Sequence, residues 1–231
     1  MRRSCTTWGY KRKAEKVKAM GYFPFYMDIK GQKGVIVGGG RVAQEKIEKL
    51  MLFEPELTLI APRVSDAIAE SGNPNLKIRE RAFRDEDIEG AFFVIAATDD
   101  RQLNAHISSL AAARRIPVNV VDDPSLCTFL FPSIIKRGAL VMGISTGGAS
   151  PQAAARLRRG IEAEIPDEME ELLDYLAQLR LWARQEITDG AQRRELLKWA
   201  ADLCLDQGRI PTESELKASP EQIPDEGTSL T

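Results

Sequence analysis

The 231-residue chain contains few of the residues that usually build disulfide frameworks or metal centres: three cysteines and one histidine. Cys5, Cys127 and Cys204 are far apart and odd in number, a pattern that indicates neither a disulfide framework nor a zinc cluster. His106 lies inside an alanine-rich segment, where we expect a surface or packing residue rather than a metal ligand. The sequence therefore predicts no metal site and favours the reducing cytoplasm.

Long apolar runs and an excess of one charge are also absent. No apolar run approaches the roughly 18 residues that cross a bilayer, so no membrane span is predicted. The chain has 32 basic and 34 acidic residues and a net charge of -2. This balance gives no overall sign of nucleic-acid binding. The remaining composition, 43% hydrophobic and 29% charged, is typical of a folded globular protein.

A glycine triplet follows the first apolar run, in the stretch VIVGGGRVA at residues 35–43. Gly38, Gly40 and Ala43 form the pattern G-x-G-x-x-A. In such a turn the first glycine permits a sharp bend, the second lets a pyrophosphate approach the backbone, and the third small residue packs the helix on the strand. The N–H groups of the helix's first turn can bind phosphate. The pattern predicts a dinucleotide-binding turn, although an ordinary strand-to-helix turn has the same composition.

Strand-like and helix-like segments alternate downstream of the glycines. Strands are predicted over Leu57–Ala61, over Leu76–Arg79, in AFFVIAAT ending at Thr98, and in IPVNVVDDP, with helices over Ser65–Ser71 and in RQLNAHISSLAAARR. This alternation predicts an α/β protein with a Rossmann-like, doubly wound parallel sheet. It also strengthens the dinucleotide hypothesis.

Ligands of such sheets gather at the carboxyl ends of the strands. The candidate cofactor-binding residues are accordingly Gly38, Gly39, Gly40, Arg41, Val42, Pro62, Arg63, Thr98 and Asp99. The acidic residue that usually holds the adenine ribose about 20 positions after the glycines is missing, because the second strand ends in LIAPR. Arg63 could face a ribose 2′-phosphate, stack on adenine, or be a solvated surface arginine. The choice between NAD and NADP stays open here.

The pattern changes after the fifth predicted strand. TFLFPSIIKRGALVMGIST predicts two strands joined by a turn at Lys136–Gly138. This segment is too apolar for a solvated hairpin, so we expect it to contribute to a dimer interface. Ser150 is a good helix N-cap with Pro151 in the first helical position. Gly147 and Gly148 could shape a backbone nest for an anion, although a well-capped surface helix explains the same residues.

The chain divides into five predicted parts. Residues 1–20 form a basic leader without the apolar region of a secretory signal, and we expect it to be disordered. A dinucleotide-binding Rossmann domain spans residues 21–127, and a small dimerisation and substrate segment spans 128–165. Amphipathic spacing predicts a helical domain over 166–216. The proline-containing, acidic tail at 217–231 is expected to be disordered.

Several motifs occur together and in order: the glycine turn, FFVIAATDD, NVVDDP, FPSIIKRGALVMGISTGGASP and the arginine-rich helix that follows. In this combination, from about Tyr22 to Leu179, the chain resembles the precorrin-2 dehydrogenase family, which includes the N-terminal module of siroheme synthase. The resemblance implies NAD-dependent oxidation of precorrin-2 to sirohydrochlorin. In some members the same site also inserts ferrous iron. It further implies a homodimer in which the segment near 128–165 exchanges contacts with its partner.

The resemblance also implies site residues. The catalytic aspartate is the one that closes NVVD, Asp122. The residue before the paired glycines is a serine in some members and Thr146 here. The candidate substrate-binding residues are Asn119, Ser145, Thr146, Gly147, Gly148 and Ser150. Because the substrate is a polycarboxylate, the capped helix and its arginines could bind acidic groups through backbone N–H groups and charge-assisted hydrogen bonds.

The chemistry gives Asp122 a role independently of the resemblance. Loss of a hydride leaves a cationic macrocycle that must shed a proton, and a carboxylate at a strand end can stabilise that charge or accept that proton. If the chain is extended, Asp122 and Asp123 face opposite sides, so that one serves the site while the other caps the turn with Pro124. Composition alone also allows both aspartates to be turn formers.

A different class of function explains part of the same pattern. A regulatory module that senses NAD without turnover would need the glycine turn. It would not need NVVDDP or STGGASP. Cofactor binding without reduction of the cofactor would distinguish this alternative from the enzyme.

Overall fold

The computed structural model describes residues 21–217, so the predicted leader at 1–20 and the tail beyond Lys217 lie outside the described residues. The strands are β1 (Lys33–Val37), β2 (Glu56–Ala61), β3 (Leu76–Glu80), β4 (Phe93–Ala96), β5 (Val118–Val120), β6 (Ser133–Arg137) and β7 (Leu140–Ile144). The helices are α1 (Arg41–Met51), α2 (Asp66–Ala69), α3 (Arg101–Ala113), α4 (Pro151–Glu162), α5 (Met169–Glu186), α6 (Gly190–Gln207) and α7 (Glu213–Lys217). Single 3₁₀ turns lie at Asp85–Ile88 and Pro124–Leu126.

The first five strands form one parallel sheet in the order β3-β2-β1-β4-β5. The chain winds outwards from β1 through β2 to β3, then returns to the other side of β1 with β4 and β5. The strand order therefore reverses between β1 and β4, where open α/β sheets bind their ligands. The predicted Rossmann-like sheet is confirmed.

Apolar side chains cover both faces of the sheet, as its near-continuous Val, Ile and Leu content requires. On one face Ile36 and Ile95 pack with Ala43 and Ile47 of α1. The other face packs against α3, through a second cluster whose members include Val37 and Ile107. Full burial of each isoleucine stabilises the fold by about 1.5–3 kcal/mol.

An antiparallel hairpin follows the sheet. Strands β6 and β7 pair with Ser133 opposite Ile144 and Arg137 opposite Leu140. The hairpin turns at Gly138 and Ala139, where Gly138 has a φ of 52°. Helix α4 packs on this hairpin. The two predicted strands and their turn are confirmed, with the turn placed about one residue later than expected.

The two long C-terminal helices pack against each other as amphipathic spacing predicted. Leu179 and Ala183 of α5 meet Leu196 and Ala200 of α6 in two small apolar clusters. Helix α6 ends at Gly208, which has a left-handed φ of 63°. None of the helices within residues 21–217 is long and apolar enough to span a membrane.

Two predicted boundaries differ from the structure. The strand expected to end at Thr98 ends at Ala96, because Ala97 makes the last ladder bond, to Val37 O at 2.8 Å, before the chain turns away. The helix expected over residues 65–71 is only one turn, at Asp66–Ala69, because the chain leaves the helix towards Gly72, which has a φ of 59°.

Candidate active site

The bend after β1 requires glycine at position 38. Gly38 has a φ of 118°, and its N–H donates to Ile60 O at 2.9 Å. A Cβ at this position would lie 2.2 Å from Ala97 O, a distance that no real side chain tolerates. Gly38 therefore packs β1 against the end of β4 as well as bending the chain, which supports the reading of the first glycine in the motif.

Gly39 is equally constrained, although the G-x-G pattern treats its position as variable. A Cβ there would lie 2.1 Å from Arg63 O, and Gly39 O accepts a hydrogen bond from Ser65 N at 2.9 Å. Gly39 thus fixes the loop after β2 beside the glycine turn. Local sequence gave no signal for this role, because the atoms that exclude a side chain come from a distant loop.

Gly40 differs from its two neighbours because its surroundings are open. Its backbone is extended, and a Cβ would meet no atom within 4 Å. Gly40 is also the N-cap of α1, where no described side chain caps the helix and the first turn holds no acidic residue.

Other helix starts supply their own acceptors. The N-termini of α3, α4 and α6 are capped by Asp100, Ser150 and Asp189. The uncapped N–H groups of α1, including those of Arg41 and Val42, and the positive end of its dipole fit an anionic group such as a pyrophosphate. The residues at this turn therefore suit a dinucleotide.

Thr98 lies in the loop after β4 and is fixed by a buried amide. Its hydroxyl donates to Asn104 Oδ1 at 2.7 Å, and Asn104 Nδ2 donates to Thr98 O at 2.9 Å. Asp99 next to it is exposed, whereas Asp100 accepts from the N–H groups of Gln102 and Leu103. Sequence reasoning missed Asn104, since an asparagine within an alanine-rich helix carries no distinctive signal.

Pro62 and Arg63 follow β2 with exposed side chains. The Arg63 carbonyl packs against Gly39, so the backbone of this loop belongs to the same edge of the sheet as the glycine turn. The predicted cofactor residues after β1, β2 and β4 are thus brought to one edge.

Asp122 lies in a turn just beyond β5. Val121 N donates to Ala96 O at 2.9 Å, and Asp122 then adopts a left-handed φ of 60° with an exposed side chain. The chain is not extended here, so the expectation that the two aspartates face opposite sides by strand alternation is wrong. An aspartate tolerates this conformation better than most residues.

Asp123 caps the following 3₁₀ turn. Its Oδ1 accepts from Ser125 N at 3.1 Å and from Ser125 Oγ at 2.6 Å. The prediction that one aspartate caps the turn with Pro124 is confirmed. The turn separates the two carboxylates and leaves that of Asp122 open to solvent.

The loop between β7 and α4 is tightly bonded to itself. Ser145 Oγ accepts from Gly147 N at 3.2 Å, Thr146 Oγ1 accepts from Ser150 N at 3.1 Å, and Ser150 Oγ accepts from Ala153 N at 3.1 Å. Gly147 and Gly148 have φ values of 61° and 84°. These hydroxyls hold the paired glycines in a left-handed arch.

The arch adjoins the Asp122 turn. A Cβ on Gly148 would lie 3.6 Å from Pro124 Cγ, which is ordinary van der Waals contact. The predicted substrate loop and the predicted catalytic aspartate therefore belong to one surface.

Asn119 is buried behind that surface. Its Nδ2 donates to Phe129 O at 3.0 Å and contacts Cys127 Sγ at 3.6 Å. Burial raises the pKa of the Cys127 thiol, which bonds to the Val120 backbone. In this structure Asn119 ties β5 to the chain that leads to the hairpin, and its direct contact with substrate stays a prediction.

The histidine lies away from these loops. Nε2 of His106 is 2.7 Å from Asp85 Oδ1, and about half of each side chain is exposed. Its predicted surface position is confirmed. Within the described part of the chain, no group of three or more His, Cys, Asp and Glu side chains could hold a metal ion.

Two family models match the chain. Residues 25–133 match a model described as putative NAD(P)-binding, and residues 137–164 match one described as sirohaem biosynthesis protein central. The first covers the parallel sheet and the Asp122 turn. The second covers the end of β6, β7, the 145–150 loop and α4. The sheet is therefore an NAD(P)-binding domain.

Curated relatives are siroheme synthases. That of Nitrosospira multiformis is 39% identical over 180 residues, which are 76% of this chain and 38% of the relative. That of Methylococcus capsulatus is 40% identical over 196 residues, 82% of this chain and 41% of the relative. The chain thus spans about two fifths of the length of these proteins.

A solved structure described as SirC, precorrin-2 dehydrogenase has the same fold. It matches with a TM-score of 0.64 and 23% sequence identity, over 85% of this chain and 96% of that chain. The parallel sheet, the hairpin and the C-terminal helices thus follow one another in a known arrangement.

Proposed function

Since the chain belongs to the family of the siroheme synthase N-terminal module, we propose that it catalyses the NAD-dependent oxidation of precorrin-2 to sirohydrochlorin. The observation that carries the proposal is the shared edge of the sheet. The uncapped start of α1 adjoins the loops after β2 and β4. The Asp122 turn follows the neighbouring strand β5, and Pro124 after it lies beside Gly148 of the arch. A nucleotide site and an exposed carboxylate beside a substrate loop are the two parts that a dehydrogenase needs.

The chain's residues would hold NAD at the start of α1. The N–H groups of Arg41 and Val42 would bind the pyrophosphate, while the open side of Gly40 leaves room for it. The loop at Thr98 would border the nicotinamide half, and Pro62 with Arg63 the adenosine half. The bound cofactor supplies a hydride acceptor. NAD rather than NADP is part of the proposal, since it follows the family resemblance while Arg63 leaves the local evidence open.

Asp122 would act as the base. Its carboxylate is exposed at the turn after β5 and makes no described hydrogen bond, so both oxygens are available to a ligand. A carboxylate next to the oxidised macrocycle stabilises the positive charge that develops there and accepts the proton that the macrocycle then loses. General-base catalysis of this kind contributes about 10²–10⁴-fold to a rate.

The loop at 145–150 would bind acidic groups of the substrate. The hydroxyls of Ser145, Thr146 and Ser150 hold Gly147 and Gly148 in the left-handed arch, where the backbone N–H of Gly148 could bind a carboxylate. Arg156 and Arg159 are exposed on α4, whereas Arg158 forms an ion pair with Glu162. Within residues 21–217, Arg156 and Arg159 form no ion pair, so both could bind a polycarboxylate.

Iron insertion into sirohydrochlorin is a second step that we propose for the same carboxylate. Metal insertion requires removal of protons from pyrrole nitrogens, and Asp122 could accept them as it accepts the proton of the first step. Ferrous iron is then a substrate that contacts the site transiently.

The proposal includes a homodimer in the cytoplasm. Cys127 and Cys204 are free thiols, in keeping with a reducing compartment. The dimer would form through the segment at 128–165, as the family resemblance implies.

Turnover tests the proposed function. Purified protein mixed with NAD and precorrin-2 is expected to produce NADH, followed by its absorbance, together with sirohydrochlorin. Binding of NAD without formation of NADH would contradict the enzyme and support an NAD-sensing module. The same mixture without precorrin-2 gives the background rate of NADH formation.

A further inference from the structure

Lys46 lies in the second turn of α1, and its side chain is partly buried. It follows Glu45 and precedes the buried Ile47, so it emerges at the border of the packed face of the helix. Its Nζ lies 3.9 Å from the centre of the Phe131 ring, in the connection between β5 and β6.

The ammonium is within electrostatic reach of the Asp122 turn. Burial, with a smaller contribution from Lys49, lowers the pKa of Lys46 to about 8, although Glu45, Cys127 and Asp122 oppose this shift. Lys46 in turn lowers the pKa of Cys127, against the larger effect of burial, which raises it. Lys46 is therefore a partly buried positive charge that contacts Phe131, in the segment that follows the Asp122 turn.

Lys46 differs in its partners from Lys30 and Lys136. Lys30 forms an ion pair with Glu54 at 2.8 Å, and Lys136 donates to Gly138 O at 2.8 Å while it also lies above an aromatic ring. Within residues 21–217, Lys46 contacts the Phe131 ring and no oxygen atom at hydrogen-bond distance. A partly buried charge without a counter-ion lowers stability, so this ammonium is poised for an anion that comes from a ligand.

Two anions could reach this edge: the pyrophosphate of the cofactor and a carboxylate of the tetrapyrrole. The pyrophosphate fits the N–H groups at the start of α1, beside Gly40. Lys46 instead lies against Phe131 of the connection that follows the Asp122 turn and leads to the hairpin. The substrate side of the edge is therefore the better match.

We propose that the Lys46 ammonium binds a carboxylate of the tetrapyrrole and so positions the macrocycle beside Asp122. The proposal rests on the proposed function, which supplies the polycarboxylate. Lys46 would act as a binding and positioning residue, with Phe131 holding its side chain in place. A carboxylate that reaches this ammonium gains a charge-assisted hydrogen bond in a partly desolvated place.

Lys46→Met tests the proposal, because methionine keeps the length and the contact with Phe131 but removes the charge. Equilibrium dialysis against sirohydrochlorin should show affinity reduced about 10- to 100-fold, as expected for loss of one hydrogen bond to a charged group. Affinity for NAD should not change. Lys49→Met, at an exposed position one turn further along the same helix, should leave both affinities unchanged.

Thermal unfolding separates binding from a structural role. The Lys46→Met protein should unfold at the wild-type temperature or higher, since an unpaired buried charge has been removed. Lys46→Arg keeps the charge, should retain most of the affinity, and provides a second variant should the first not fold.

Three results would overturn the assignment. If Lys46→Met binds sirohydrochlorin with wild-type affinity, Lys46 does not contact the tetrapyrrole. If the variant binds NAD more weakly but sirohydrochlorin normally, the ammonium contacts the cofactor. A lower unfolding temperature with unchanged affinity would make Lys46 a structural residue. If the wild-type protein itself neither binds nor oxidises the tetrapyrrole, the proposed function fails, which is a distinct outcome.

Discussion

The three glycines of the turn have two different roles: Gly38 and Gly39 are required by the packing of the fold, whereas Gly40 leaves space for a ligand. Gly38 and Gly39 are enclosed by carbonyl oxygens of other loops, whereas Gly40 borders open space. Sequence spacing correctly predicted the bend at Gly38 and the accessible backbone at Gly40. It could not predict the constraint on Gly39, because Arg63 O approaches it only after β1 and β2 have paired.

We expect Gly40→Val to abolish NAD binding while the protein stays folded. The extended backbone of Gly40 accommodates valine, but the branched side chain would fill the space where the pyrophosphate meets the backbone. Calorimetric titration with NAD measures the loss.

The matched control is Gly39→Ala, for which we expect loss of the folded protein, since its Cβ would collide with Arg63 O. Circular dichroism distinguishes the two variants. Wild-type affinity of Gly40→Val for NAD would show that the cofactor binds elsewhere.

Asp122 and Asp123 show what a local sequence rule could not predict. Alternation in an extended strand assigned the two carboxylates to opposite sides. The strand instead ends at Val120, and a left-handed residue at Asp122 produces the separation. Asp123 caps the turn as expected, which leaves Asp122 for the site. The two side chains are separated by the turn and not by the alternation of an extended strand.

The sequence predicted helices and strands correctly where the hydrophobic period and the capping residues agree. It missed the ends of those elements that tertiary contacts determine. Helix α4 begins at Pro151 after the Ser150 cap, as the sequence indicated. The 3₁₀ turn at Asp85–Ile88 gave no such signal, since a cluster of acids normally indicates a solvated surface. Within it Asp87 is buried, because two arginines and a backbone N–H neutralise its charge.

The carboxylate of Asp87 joins β3 to this 3₁₀ turn. It accepts from Arg81 at 2.5 and 2.7 Å, from Arg79 at 3.2 Å, and from Arg84 N at 2.8 Å. The Arg81 hydrogen bond, together with that from Arg84 N, lowers the pKa of Asp87. Because the Arg79 side chain is half exposed, its ion pair with Asp87 contributes little to the stability of the fold.

Asp87→Asn should lower the free energy of unfolding by about 2 kcal/mol, because it leaves Arg81 without its counter-ion. The full difference in the free energy of unfolding between the two proteins should be present above the ordinary pKa of aspartate, about 4. The difference should shrink as the pH falls through the lower pKa that Asp87 has in the folded protein. The sign follows because the unfolded chain binds the proton more readily in that range.

Urea unfolding at neutral and acidic pH measures the effect. Glu86→Gln, at the exposed neighbouring position, is the control and should change stability little. A pH-independent loss in Asp87→Asn would show that packing, and not the charge, accounts for the effect.

At the scale of the whole molecule, the sequence predicted the order of sheet, hairpin and helices. Its further prediction, that the apolar hairpin segment contributes to a dimer interface, stays a prediction. The three-part division at 21–127, 128–165 and 166–216 stays a prediction. The hairpin is only partly covered within one chain, and α4 above it exposes Leu157 and Ile161, one turn apart. These apolar residues support the proposed dimer.

We expect sedimentation to show a dimer at micromolar concentration. Leu157→Glu should shift it towards the monomer, since a charge would be buried in the interface. Leu205→Glu on α6 is the control, because that leucine is just as exposed but lies outside residues 128–165. A wild-type monomer, or equal effects of the two substitutions, would contradict the proposed interface.

The central claim, that Asp122 is the base in oxidation of precorrin-2, is tested most directly by kcat for NADH formation in Asp122→Asn and Asp123→Asn. We expect the first substitution to reduce kcat by about 10²–10⁴-fold with unchanged unfolding and NAD affinity, because the amide keeps the shape and removes the proton-accepting charge. The second should reduce kcat far less and act mainly on the stability of the turn. Near-normal turnover in Asp122→Asn, or a larger loss in Asp123→Asn, would contradict the assignment.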